Sequence, residues 1–185
     1  MDIRFLGHAC FELTDGDTRV LIDPFLTGNP KAAVGPDDVD PTHIFLTHGH
    51  VDHWGDVEAI AKRTNAQCVA IVELANELGD KGVENVADPN LGGTTVYHLG
   101  DTALFSDLSL PGQRDSIDVA LMCIGGHYTM DRHDAVNAAE LVGAKQVVPC
   151  HYDTFPPIET DAEAFKNDVK ASEVVILQPG DTHSP

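Results

Sequence analysis

His48-Gly49-His50-Val51-Asp52-His53 decides the fold, and it follows the apolar run Ile44-Phe45-Leu46. A short apolar run of this kind reads as a buried strand, and ligand-bearing loops commonly sit at the carboxyl ends of strands. In extended backbone, residues i and i+2 project to one side, so His48 and His50 can grip one ion. Asp52 and His53 fall where the chain turns into a helix expected to begin near Trp54, and they point at a neighbouring position. Imidazole and carboxylate are ligands suited to zinc, iron or manganese. A single histidine would read as a surface residue; three of the ten histidines and an aspartate within six residues read as metal ligands.

Working outward, two later residues can complete such a site. Asp101 follows the apolar stretch Val96-Tyr97-His98-Leu99, and His151 follows Val147-Val148-Pro149-Cys150. Both sit at expected strand ends, where a carboxylate can bridge two cations. Asp23, in Leu21-Ile22-Asp23-Pro24-Phe25, is either an acceptor that fixes a ligating imidazole or a turn aspartate before proline. His8 and His127 lie in loops flanked by Gly7 and Gly126, where backbone can approach a ligand closely. They are candidate substrate contacts or proton donors, with Asp52 as the residue that orients the nucleophile. His43, His133 and His183 are assigned to structure or surface.

The rest of the chain limits the company this site keeps. The 185 residues suffice for one domain, taken as 1–185, with a substantial core. Thirty acidic residues against 11 basic ones give a formal charge of −19. Such a surface repels nucleic acid and anionic membranes, so neither is an expected partner. Aspartate dominates the acidic side and lysine is scarce, a balance that suits a halophilic protein whose self-repulsion is screened by salt. No apolar run approaches the roughly 20 residues of a membrane span. Met1–Leu6 lacks the pattern of a signal peptide, so a cytoplasmic location is expected. Cys10, Cys68, Cys123 and Cys150 are dispersed in apolar surroundings and read as buried reduced thiols.

β-rich runs predict strands at 3–6, 9–13, 19–22, 43–47, 68–72, 95–99, 119–124, 146–149 and 174–177. Asp15-Gly16-Asp17 marks a hairpin turn. Helices are expected after Trp54, Glu73, Asp131 and Asp161, the last two opening on acidic residues. Hairpin-paired strands followed by alternating strands and helices indicate a layered α/β architecture.

Taken together, the HGHVDH stretch resembles the HxHxDH signature of the metallo-β-lactamase superfamily. The surroundings of His8 and Asp23, Tyr97–Thr102, Gly125–Met130 and His151–Pro156 resemble the branch of small metal-dependent hydrolases akin to ascorbate-6-phosphate lactonase. The resemblance spans Ile3 to about Gly180. It implies an αββα sandwich and two adjacent metals, with His48 and His50 on the first, Asp52, His53 and His151 on the second, and Asp101 bridging. It also implies a third histidine on the first metal, which this sequence lacks. About 40 residues, including strands, are missing between Thr94 and Thr95, judged against a typical domain of the branch. The chain is then mononuclear, recruits His8, His98 or His127, is incomplete, or borrows an element from a second subunit. Lost strands would expose a sheet edge and invite homo-oligomer formation.

The expected activity is hydrolysis of a small lactone, ester or amide, or secondarily a phosphodiester, by water activated on one or two divalent metals. Zinc is the first expectation, with manganese or iron as alternatives. The competing functions are a metal-stabilised binding or scaffold protein that lost activity with the missing histidine, and an iron-dependent redox protein.

Overall fold

A computed structural model describes residues 1–70, 72–84 and 94–185. Ile71 in one expected strand, and Leu91–Gly93 leading to the expected strand loss, lie outside the described residues. The described chain divides into two compact units, one within Met1–Leu91 and Gln178–Ser184, the other within Gly92–Leu177 with Pro185.

The first unit is built on β1 (Asp2–Gly7), β2 (Cys10–Asp15) and β3 (Thr18–Ile22), a meander of antiparallel strands. The expected hairpin forms: Asp15 pairs with Thr18, and Gly16 takes φ +56° at the first central position. A two-residue turn matching the strand twist needs that positive φ, which glycine adopts without a Cβ clash. Beyond β3 the sheet becomes parallel through β4 (His43–Phe45) and β5 (Gln67–Val69). A two-residue strand, Thr182–His183, pairs with the outer edge of β1.

Three helices accompany this sheet: α1 (Val51–Trp54), α2 (Val57–Thr64) and α3 (Val72–Asp80). Val57, Ile60 and Ala61 recur at helical spacing and are buried with Leu6, Leu21, Ile44 and Cys68 of the sheet. The helix expected to begin near Trp54 in fact ends there and a new one follows. His50 is extended (φ −65°, ψ 151°) and its carbonyl accepts from the amides of both His53 and Trp54. The polar hexapeptide therefore runs into a single helical turn, and Asp52 and His53 lie inside it.

The second unit is a four-stranded, wholly parallel sheet in the order β6 (Val96–His98), β7 (Val119–Cys123), β8 (Gln146–Cys150), β9 (Glu173–Val174). All five residues of β7 are buried, as expected for a central parallel strand covered on both faces. Its helices are α4 (Leu110–Arg114), α5 (Arg132–Val142) and α6 (Ala162–Asp168). The stripe Ala135, Ala138, Ala139 and Val142 packs with Met122, Val147 and Phe165. Asp131 caps α5 by accepting the amides of His133 and Asp134, each at 2.9 Å. Asp131→Ala should cost about 1 kcal/mol, read as a lowered urea midpoint at unchanged m-value.

Each sheet thus shows the α/β composition expected, two sheets with flanking helices. All four cysteines are buried, and none of them forms a disulfide. Burial pushes the Cys68 thiol up to about 11 and raises those of Cys10 and Cys123, so these three stay protonated and inert. Among the described residues no helix is long and apolar enough to cross a membrane.

Candidate metal centre

In the first unit, strand direction assembles the candidate residues. β3 and β4 run parallel, with Ile22 registered against Phe45, so Asp23 and the loop after Leu46 emerge at one end of the sheet. The amide of Asp23 donates to the Phe45 carbonyl at 3.0 Å. Its carboxylate in turn accepts from the Thr47 amide (Oδ1, 2.8 Å), the Thr47 hydroxyl (Oδ2, 2.6 Å) and His53 Nδ1 (Oδ2, 2.7 Å). β1 and β2 are joined at the same end, and their turn carries His8.

His53 and Asp23 are completely buried, and the His53 ring lies 4.1 Å from that of His48 and 5.5 Å from that of His8. His48 and His50 face one another with Nε2 and Nδ1 2.9 Å apart. Asp52, half-buried, turns the other way around the helical turn, and its Oδ2 lies 3.2 Å from Nε2 of the buried His8. Ligand atoms of Asp23, His48 and His53 lie within 4.8 Å of one another, as do those of His8, Asp52 and His53. Both Asp23 oxygens already accept strong hydrogen bonds. Asp23 therefore fits the part of an orienting acceptor, while imidazole nitrogens and Asp52 form a donor set suited to a borderline divalent cation.

The second unit follows the same logic. β6, β7 and β8 are parallel, so the segments that follow them leave the sheet at one end. Asp101, the Gly125-Gly126-His127 turn and His151 all lie there, and His151 Nε2 is 3.3 Å from Asp101 Oδ1. His151 is buried, whereas His127 is exposed with its ring edge-on to Tyr128 at 4.4 Å. His98 Nδ1 accepts the Gly100 amide at 3.0 Å, which puts the proton of the neutral ring on Nε2. Tyr152 packs on the core, and burial followed by the nearby Asp153 charge pushes its phenol up to about 12.

The backbone marks these positions independently. Among the described non-glycine residues, positive φ occurs at His8 (61°), Asp23 (45°), His127 (59°) and His151 (54°), besides Asn65 and Asp153. Each such residue carries strain of order 1 kcal/mol that the surrounding structure must hold, and strain of this kind collects at functional sites. Thr47 is the residue the sequence reading passed over. Its side chain touches Asp23 and also His48 Nδ1, at 2.9 Å. The only signal was its place immediately before the hexapeptide.

The family model of the metallo-β-lactamase superfamily matches residues 3–120. The chain belongs to that superfamily. Within it, the chain is a member of the UPF0173 metal-dependent hydrolase family. It is 41% identical to a UPF0173 metal-dependent hydrolase of Methanopyrus kandleri, with 99% of each chain covered. It is 42% identical to one of Thermococcus kodakarensis, with 97% of each covered. Among solved structures it is similar to Igni18, a metallo hydrolase of Ignicoccus hospitalis, at 31% identity, TM-score 0.90, and coverage of 98% of this chain and 97% of that one.

The Methanopyrus alignment extends over 228 positions, against 185 residues here, so at least 43 positions of this relative face gaps in the chain. Since 99% of the chain is aligned, the shortening is internal.

Proposed function

We propose that this protein is a hydrolase that directs metal-activated water at a small lactone, ester or amide, with zinc as the first candidate metal. The observation that carries the reading is the buried His53, held at Nδ1 by Asp23 with His48 beside it, in a family whose relatives are named metal-dependent hydrolases. The proposed ligands are His48, His50, Asp52 and His53, completed by Asp101 and His151.

A bound divalent cation supplies a Lewis acid and lowers the pKa of a coordinated water toward neutrality. The chain's own residues do the rest. Asp23 keeps the His53 ring in one orientation and holds its proton on Nδ1, leaving Nε2 to donate a lone pair. Asp52 remains part-exposed and accepts a proton or a hydrogen bond at its carboxylate, with His8 fixing one of its oxygens. His127 and Tyr128, exposed in a strained turn, are the proposed substrate contacts.

Carbonyl substrates are favoured over a phosphodiester because Arg132, the guanidinium closest in sequence to His127, is already engaged: it pairs with Asp168 at 2.6 Å. A phosphate clamp there would have to break that pair. The internal shortening supports one second reading, a metal-stabilised binding protein without turnover.

Chelator-treated protein should lose hydrolysis of a lactone and aryl-ester panel, and zinc or manganese should restore it. Asp101→Ala should recover no more than about a hundredth of the activity on reloading. Fully loaded protein that turns over nothing, yet melts higher with metal than without, decides for the binding protein.

A further inference from the structure

Thr42 and Thr47 each precede a histidine, and in each pair the hydroxyl lies 2.9 Å from Nδ1 of that histidine. The two hydroxyls differ in where they donate. Thr42 donates to the Arg19 carbonyl, which ends the matter locally. Thr47 donates to Asp23 Oδ2, the same oxygen that receives His53 Nδ1. Four side chains are thereby joined in one line, His53–Asp23–Thr47–His48.

A hydroxyl carries a single proton. Because Thr47 gives that proton to Asp23, it can only accept from His48, so His48 Nδ1 bears hydrogen. A carboxylate oxygen can only accept, so His53 Nδ1 bears hydrogen as well. Both rings are then fixed as Nδ1–H tautomers that carry their lone pair on Nε2, and that of His48 faces His50 Nδ1 at 2.9 Å. We propose that Thr47 is a positioning residue that sets the protonation pattern of His48 directly and holds in place the Asp23 carboxylate that sets that of His53. One hydroxyl thereby prepares residues assigned to both metal positions. This rests on the metal-centred reading above, and it goes beyond it in naming a residue that makes no contact with the ion.

Two measurements test it. Long-range proton–nitrogen NMR of the metal-free protein should show His48 and His53 as Nδ1–H tautomers; an Nε2–H tautomer on His48 overturns the proposal, whatever the protein's activity. Zinc affinity, read by competition with a chromophoric chelator, should fall at least about tenfold in Thr47→Val. It should return to within about threefold of the parent in Thr47→Ser, which keeps the hydroxyl. Thr42→Val should bind zinc as the parent does. Thr47→Val binding zinc like the parent overturns the proposal and leaves the metal-centred reading standing. Parent protein that binds no zinc refutes that reading, and the tautomers of the metal-free protein then decide this one alone. If Thr47→Val fails to fold, the NMR pattern and the Thr47→Ser affinity decide it.

Discussion

His53→Ala should reduce metal-dependent hydrolysis to background, a loss of more than about 100-fold, and should also cost about 2 kcal/mol of stability. The two effects have different origins. Activity falls because His53 is the most deeply buried imidazole of the hexapeptide and one of the proposed ligands. Stability falls because Asp23 is itself completely buried, and the substitution removes the donor 2.7 Å from its Oδ2. A buried carboxylate that loses a partner keeps its desolvation cost without the compensating bond. The two Thr47 donors remain, which limits the loss. His50→Ala is the informative comparison. His50 is exposed, so removing it should weaken metal binding while leaving the urea midpoint of the metal-free protein within about 0.5 kcal/mol of the parent. Equal destabilisation by both substitutions would show that His53 owes its burial to something other than the Asp23 pair.

How far such a site can be read from sequence follows from which contacts are local. The strands of the first unit were legible because alternation and an Asp-Gly turn are properties of adjacent residues. The buried run of β7 was legible because a central parallel strand is apolar throughout. The loops carrying Asp101 and His151 were legible because each follows such a run. The extent of α1 was not, since His-Gly-His-Val-Asp-His has no apolar periodicity, and its helical turn is set by hydrogen bonds to the His50 carbonyl. The strand Thr182–His183 is too short to alternate. Thr47 was missed for a deeper reason. Its acceptor lies 24 residues earlier, and the two meet only because β3 and β4 pair in parallel register. The internal shortening was visible as a departure from a pattern, and the 228-position alignment agrees with it.

Gly55→Ala should destabilise the protein by about 4 kcal/mol and weaken zinc binding, although Gly55 is not a ligand. Gly55 ends α1 at φ 44°, ψ −119°, a conformation that side chains rarely adopt. A Cβ built there would lie 2.3 Å from the Pro24 carbonyl oxygen and 2.6 Å from Phe25 Cα. Both obstacles are backbone, so no rotamer change relieves them. That backbone is also pinned from other sides. The Asp56 amide donates to the Pro24 carbonyl, and the Asp56 carboxylate accepts the amides of Leu26 and Thr27 at 3.0 and 2.8 Å. Displacing Pro24 must either break these bonds or carry Asp23 with it, away from His53 and Thr47. The close approach at Gly55 therefore links the end of the hexapeptide to the carboxylate that orients it. Gly28→Ala separates this from the cost of positive φ alone: Gly28 has φ +79° with nothing within 4 Å of where a Cβ would sit, so it should cost about 1 kcal/mol and leave zinc affinity unchanged. Urea unfolding of the metal-free proteins and chelator competition on the same samples distinguish the two. If Gly55→Ala unfolds at the same midpoint as Gly28→Ala, the Pro24–Phe25 segment yields freely, and the loop does not hold Asp23 in place.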